Sequence, residues 1–168
     1  MPQPGTPDPG APRDMPRLAI LVGVDGSAAS RTAIAAAARE ASYRSAPLIA
    51  LQAYSGEQIQ HAGRPGGYGA VPASGGAGRD DDQRAAESGL REAIRDVLGA
   101  EWAGRVQALA VLGLAGRKIV ETAQQVNAQL IVLATHGSRS MLLGTVSQYV
   151  LRRAPCPVLI VPAPPADH

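Results

Sequence analysis

The chain has 168 residues, 45% of them hydrophobic, which suits one globular domain with a real core. Aromatics make up only 3% and Phe is absent, so that core is built from Ala, Val, Leu and Ile. The net charge of +2 is spread along the chain without aromatics interleaved among arginines, which argues against nucleic-acid binding. The single cysteine, Cys156, excludes an intramolecular disulfide and fits a reducing compartment. No apolar run approaches the roughly 20 residues of a membrane span, and no charged-then-apolar leader opens the chain. The expected setting is the cytoplasm, with no membrane association.

Residues 1–16 hold six prolines and little to bury, the composition of a disordered leader. Leu18 to Val24 is a continuous apolar run, as in a strand buried on both faces. Asp25-Gly26 makes a turn, and Ser27 or Ser30 caps a helix whose inner face carries Ile34, Ala37, Ala38 and Ala41. Leu48 to Tyr54 is the second strand. Residues 55–79 carry eight glycines and no periodicity, which predicts a flexible insertion. The acidic run Asp80 to Asp82 starts a helix with Leu90, Ile94, Val97 and Leu98 facing inward.

Val106 to Leu112 predicts a third strand, Gly113 to Gly116 a turn, and Ile119, Val120, Ala123 and Val126 a third helix. Leu130 to Ala134 is the fourth strand, Thr145 to Arg153 lies in the fourth helix, and Val158 to Val161 is the fifth strand. Thr145 and Gln148, three apart, read as a capping box. Strands alternating with helices imply a parallel sheet covered on both faces. Ligands in such sheets sit outside the carboxyl ends of the strands, where the strand order reverses. That places the loops holding Asp25 and Gly137 at the candidate site.

Asp25 either accepts a hydrogen bond from a ligand amine or sugar hydroxyl, or caps backbone amides in an Asp-Gly turn. Its position favours the ligand. Gly137 and Gly144 bracket a short loop in which exposed amides, the hydroxyls of Ser138 and Ser140 and the charge of Arg139 suit phosphate oxygens. The loop lacks the Gly-Lys-Ser/Thr element of a phosphate-binding loop and the Gly-x-Gly-x-x-Gly of dinucleotide folds. The only lysine is Lys118, far from it in sequence. His136 reads as a surface histidine, and Cys156 as a small hydrophobe between two prolines. Metal-ligand clusters, paired carboxylates and a nucleophile elbow are all missing from the sequence, so an enzyme is not expected.

Three blocks of sequence resemble the universal stress protein family: Ile20 to Ser27, Leu130 to Gly137, and Leu142 to Val161. The resemblance covers residues 17–162, leaving 163–168 as a tail. It implies a Rossmann-like α/β fold with a five-stranded parallel sheet in order 3-2-1-4-5. It also implies a homodimer paired through the edge strand Val158–Val161. One branch of the family binds ATP, with or without Mg²⁺, through Gly-x2-Gly-x9-Gly-Ser/Thr. On this chain the pattern falls on Ala134, Gly137, Gly144 and Thr145, with Val24, Asp25 and Ala53 toward the adenine and ribose, and Val146 and Ser147 toward phosphate. Ser138 follows the second glycine. Ala134 replaces a glycine, and only six residues separate Gly137 from Gly144. The missing three residues amount to nearly one helical turn. The leading expectation is a stress-response protein that binds ATP or a related adenine nucleotide, with no catalysis or very slow hydrolysis. The alternative is a dimeric interaction protein from the branch that binds no nucleotide.

Overall fold

The computed structural model describes residues 18–54, 79–135 and 143–163. The leader, the glycine-rich insertion up to residue 78 and the final tail residues 164–168 lie outside them. Strand β1 (Ile20–Gly23) is followed by helix α1 (Ala28–Arg44), β2 (Leu48–Tyr54), α2 (Arg79–Leu98), α3 (Ala100–Ala103), β3 (Val106–Leu112), α4 (Ala115–Gln125), β4 (Leu130–Ala134), α5 (Thr145–Arg153) and β5 (Val158–Val161). The five strands form one parallel sheet in the order β3-β2-β1-β4-β5. Because β1 pairs with both β2 and β4, the order reverses beside it.

The central strands bury both faces, which is why they read as unbroken apolar runs. Ile20, Val22, Leu48, Ala50, Leu130 and Val132 pack toward α1 and α2. Their neighbours Leu21, Ile49, Leu51, Ile131 and Leu133 pack toward α4 and α5, with Ile119, Val120, Ala123 and Val150. Alternation along each strand thus feeds two cores. Helix α1 presents Ala33, Ala37 and Ala41 beside Ile34, a face of small side chains on which the sheet can lie close. Leu90 and Ile94 anchor α2; burying each contributes about 1.5–3 kcal/mol.

Local chemistry sets most boundaries. Ser27 caps α1, its Oγ accepting the Ser30 amide at 3.2 Å. Ser45 ends that helix in a left-handed conformation, its amide returned to Ala41 and Ser42 carbonyls. Two expectations need correction. The first strand starts at Ile20, because Leu18 adopts φ 57 and is half-exposed while its amide turns away to the Val126 carbonyl. The turn expected over Gly113 to Gly116 is shorter. Gly113 supplies the positive φ of 135, but Ala115 and Gly116 already belong to α4, and Gly116 is buried for packing. The short helix α3 follows Gly99 at φ 84 and had no counterpart in the periodicity.

Candidate functional site

Beyond the carboxyl ends of the strands beside the order reversal, the described residues form a cavity of about 210 Å³. Its walls come from six places in the chain. Gly23, Val24 and Asp25 arrive at the end of β1, Leu51 and Ala53 from β2, and Leu133 and Ala134 from β4. Ala115 and Ile119 come from the first turns of α4, and Gly144, Thr145, Val146 and Ser147 open α5. Ser30 contributes from the first turn of α1. The apolar floor continues the α4-side core, since Leu51, Ile119 and Leu133 belong to both. A Cβ on Gly23 would stand 2.7 Å from Leu133 Cδ2 and 3.0 Å from Ile119 Cδ1, so the floor closes tightly there.

Eight residues expected at the site from sequence therefore line one cavity: Val24, Asp25, Ala53, Ala134, Gly144, Thr145, Val146 and Ser147. Gly137 and Ser138 lie outside the described residues, as do His136 and Arg139. Sequence reading did not place Gly23, Ser30, Leu51, Ala115, Ile119 or Leu133 at the site. Strand order was the available signal for them, because adjacent parallel strands bring their carboxyl ends to one crevice.

Asp25 fulfils the turn role as well as lining the cavity: its Oδ1 accepts the Ser27 amide at 3.0 Å. Gly26 beside it takes φ 80, a conformation open to glycine. Ser30 is buried with its Oγ donating to the Ser27 carbonyl at 2.8 Å, so its hydroxyl is committed to the α1 cap.

The start of α5 corrects the capping-box expectation. Gly144, not Thr145, is the cap residue, and it has no side chain to offer; no side-chain cap bond is made. Gln148 turns its Nε2 to the Leu143 carbonyl at 2.7 Å instead of reaching a cap residue's amide. The first helical bond runs from the Gln148 amide to the Gly144 carbonyl at 3.0 Å. The amides of Thr145, Val146 and Ser147 thus precede the helical ladder, and no side chain among the described residues caps them. Together with the helix dipole they make the positive end of the cavity. Asp25 is the only ionisable side chain on its described wall.

Other candidates carry less. Burial pushes the Cys156 thiol up from its ordinary value, and the side chain packs partly buried against the α4-side core. That is the behaviour of a small hydrophobe, not an activated nucleophile. Among the described residues no group of three His, Cys, Asp or Glu is placed to hold a metal ion. No described helix is long and apolar enough to cross a membrane.

Comparison with known proteins places this architecture. The chain is 35% identical over 150 residues to universal stress proteins of Mycobacterium bovis and Mycobacterium tuberculosis, covering 84% of this chain. It spans less than half the length of those relatives, 44%. A solved universal stress protein in complex with cAMP superposes with a TM-score of 0.60 at 26% identity, over 89% of this chain and 100% of that one. A universal stress protein of Archaeoglobus fulgidus in complex with dAMP shares the fold at a TM-score of 0.53 and 20% identity, over 87% and 98% of the two chains. The family model described as the universal stress protein family matches residues 17–162. The chain belongs to the universal stress protein family.

Proposed function

We propose that the cavity binds an adenine nucleotide, ATP among the candidates, and that the chain acts in a stress response through occupancy rather than turnover. One observation carries the reading: residues from β1, β2, β4 and the start of α5 converge on a single cavity that has an apolar floor and an uncapped helix N-terminus. A flat base suits the floor between Leu51, Ile119 and Leu133, and a phosphate suits the amides at the other end. The solved relative in complex with cAMP, at 26% identity, supports an adenine ligand. Asp25 is the only titratable group on the described wall and is engaged by the Ser27 amide, which supports absent or very slow hydrolysis.

Calorimetry on folded, nucleotide-stripped protein tests this. Saturable binding of an adenine nucleotide at one site per chain is expected. Absence of binding by every adenine nucleotide tried would leave only the interaction-module reading.

The exposed flank of β5 favours that second role alongside the first. Val158 to Val161 are all partly exposed, and among the described residues the strand bonds to β4 alone. An apolar edge strand of this kind needs a cover or a partner. We propose pairing of two copies through it, with light scattering as the test.

A further inference from the structure

We infer that Tyr149 is a positioning residue for the proposed nucleotide site: its ring sets the separation of α4 and α5, and with it the width of the cavity between them. This rests on the adenine-nucleotide reading and adds to it a residue outside the described cavity wall.

Two helices that start beside the cavity come together at one contact. Helix α4 gives the cavity Ala115 and Ile119, and α5 gives it Thr145, Val146 and Ser147. Gly116 follows Ala115 directly, and Tyr149 lies just past Ser147 on α5. The tyrosine side chain rests on Gly116 closer than a Cβ there would permit, so ring meets backbone with nothing between them. The distance between packed helix axes, about 8–10 Å in general, depends on the side chains at the contact. Here one ring laid on a residue without a side chain sets it.

The ring is also held from its own helix. Arg153, one turn further along α5, places its Cζ 4.3 Å from the ring centroid. A single ring position makes both contacts. Tyr149 is half-buried and packs against the α4-side core, to which Ile119 and Leu133 belong. Those two side chains are also the cavity floor. Close-packed interiors transmit a displacement instead of absorbing it. Without the ring, α4 and α5 are free to shift, and the residues that each contributes to the cavity move with them.

The experiment is calorimetry with AMP and with ATP on the full, nucleotide-stripped chain and on variants shown to be folded by circular dichroism. Tyr149→Phe should bind as the parent does, because the ring and not the hydroxyl makes the contact. Tyr149→Ala should weaken binding at least about tenfold. Tyr149→Leu, which keeps apolar bulk without the flat ring, should weaken it in the same direction and serves where the alanine variant does not fold. Adding Gly116→Ala to Tyr149→Ala should bring no further loss, since the partner of the contact is already gone. Val126→Ala, a truncation in the same core at the far end of α4, should lower the urea midpoint and leave affinity unchanged. Parental affinity in Tyr149→Ala and Tyr149→Leu, with only the urea midpoint lowered, would reduce the tyrosine to packing and overturn the inference while leaving the adenine reading intact. Additive losses from the Gly116 and Tyr149 substitutions would overturn it as well. A folded parent chain that binds neither nucleotide would defeat the adenine reading itself.

Discussion

Gly116 on α4 and Tyr149 on α5 meet where one of them has no side chain. A Cβ on Gly116 would stand 2.9 Å from Tyr149 Cδ1 and 3.2 Å from its Cβ and Cγ. The helices that wall two sides of the cavity are therefore spaced by this contact, beside Ala115 on α4 and about one turn from Val146 on α5. The near approach involves the tyrosine Cβ, so a rotation of the ring alone does not relieve it.

Gly116→Ala should consequently push α5 outward. Overpacking costs about 1–3 kcal/mol, against which alanine's better helix propensity returns roughly 1 kcal/mol. Net destabilisation by urea titration is expected, together with weaker nucleotide binding by calorimetry. Unchanged stability and unchanged affinity would show that this spacing does not matter to the site.

Gly144 offers an opposite test, because stability and binding should move in different directions. Its backbone sits at φ −63 and ψ 165, the extended conformation of a cap residue, and a Cβ there meets nothing within 4 Å. Gly144→Asp would place a carboxylate on the orphan amides of α5 and stabilise the helix by about 0.5–1 kcal/mol. The same carboxylate would occupy the anion position. A higher melting temperature with nucleotide affinity reduced at least about tenfold is expected. A raised melting point with affinity intact would mean that the ligand's phosphate lies away from α5.

The acid limb of stability should carry a contribution from Glu121. Hydrogen bonds from Arg117 first and then Lys118 hold its carboxyl below the ordinary carboxylate range. A carboxyl lowered in the folded state stabilises the fold above its unfolded pKa, near 4.3, and loses that contribution as the pH falls through its folded value. The group is substantially exposed, so the effect is small, at most about 1 kcal/mol. Glu121→Gln should lower the urea midpoint slightly at pH 7 and leave it unchanged near pH 3. Equal differences at both pH values would point to lost packing instead of lost charge.

Pairing through β5 is testable at the backbone. The Ile131 amide bonds to the Pro157 carbonyl and the Thr135 amide to the Val161 carbonyl. By strand alternation, Val158 and Ile160 turn their backbone groups to the outer edge. Ile160→Pro removes an outward N–H without removing a bond to β4. The variant should remain folded by circular dichroism and run as a monomer by light scattering, with the parent chain expected to run as a dimer. A dimer that survives the change would place the contact elsewhere.

The strands were legible as short apolar runs, unbroken in central β4 and weakly alternating in edge strand β3. Leu48–Tyr54, Val106–Leu112, Leu130–Ala134 and Val158–Val161 have the same bounds in the sequence reading and in the structure. The misreadings fell where one residue type serves two purposes. Gly116 looked like a turn signal, since a glycine needed for a close helix approach is indistinguishable along the chain from one needed for a positive φ. Thr145 and Gln148 had the spacing of a capping box, but Gly144 took the cap position and Gln148 found the Leu143 carbonyl.

By itself, the sequence determined the alternation of strand and helix, the two-sided burial of the sheet and the glycines near its carboxyl end. Those properties are local, because they depend on composition and on the period of side chains along a single element. Only the tertiary structure decided that Asp25, Ala53, Ala134 and Ser147 share one cavity with Leu51 and Ile119. Only it decided, too, that the amides of α5 are left without a side-chain cap. Such facts depend on which distant segments come to lie side by side, and parallel strand order beside β1, not spacing along the chain, sets that.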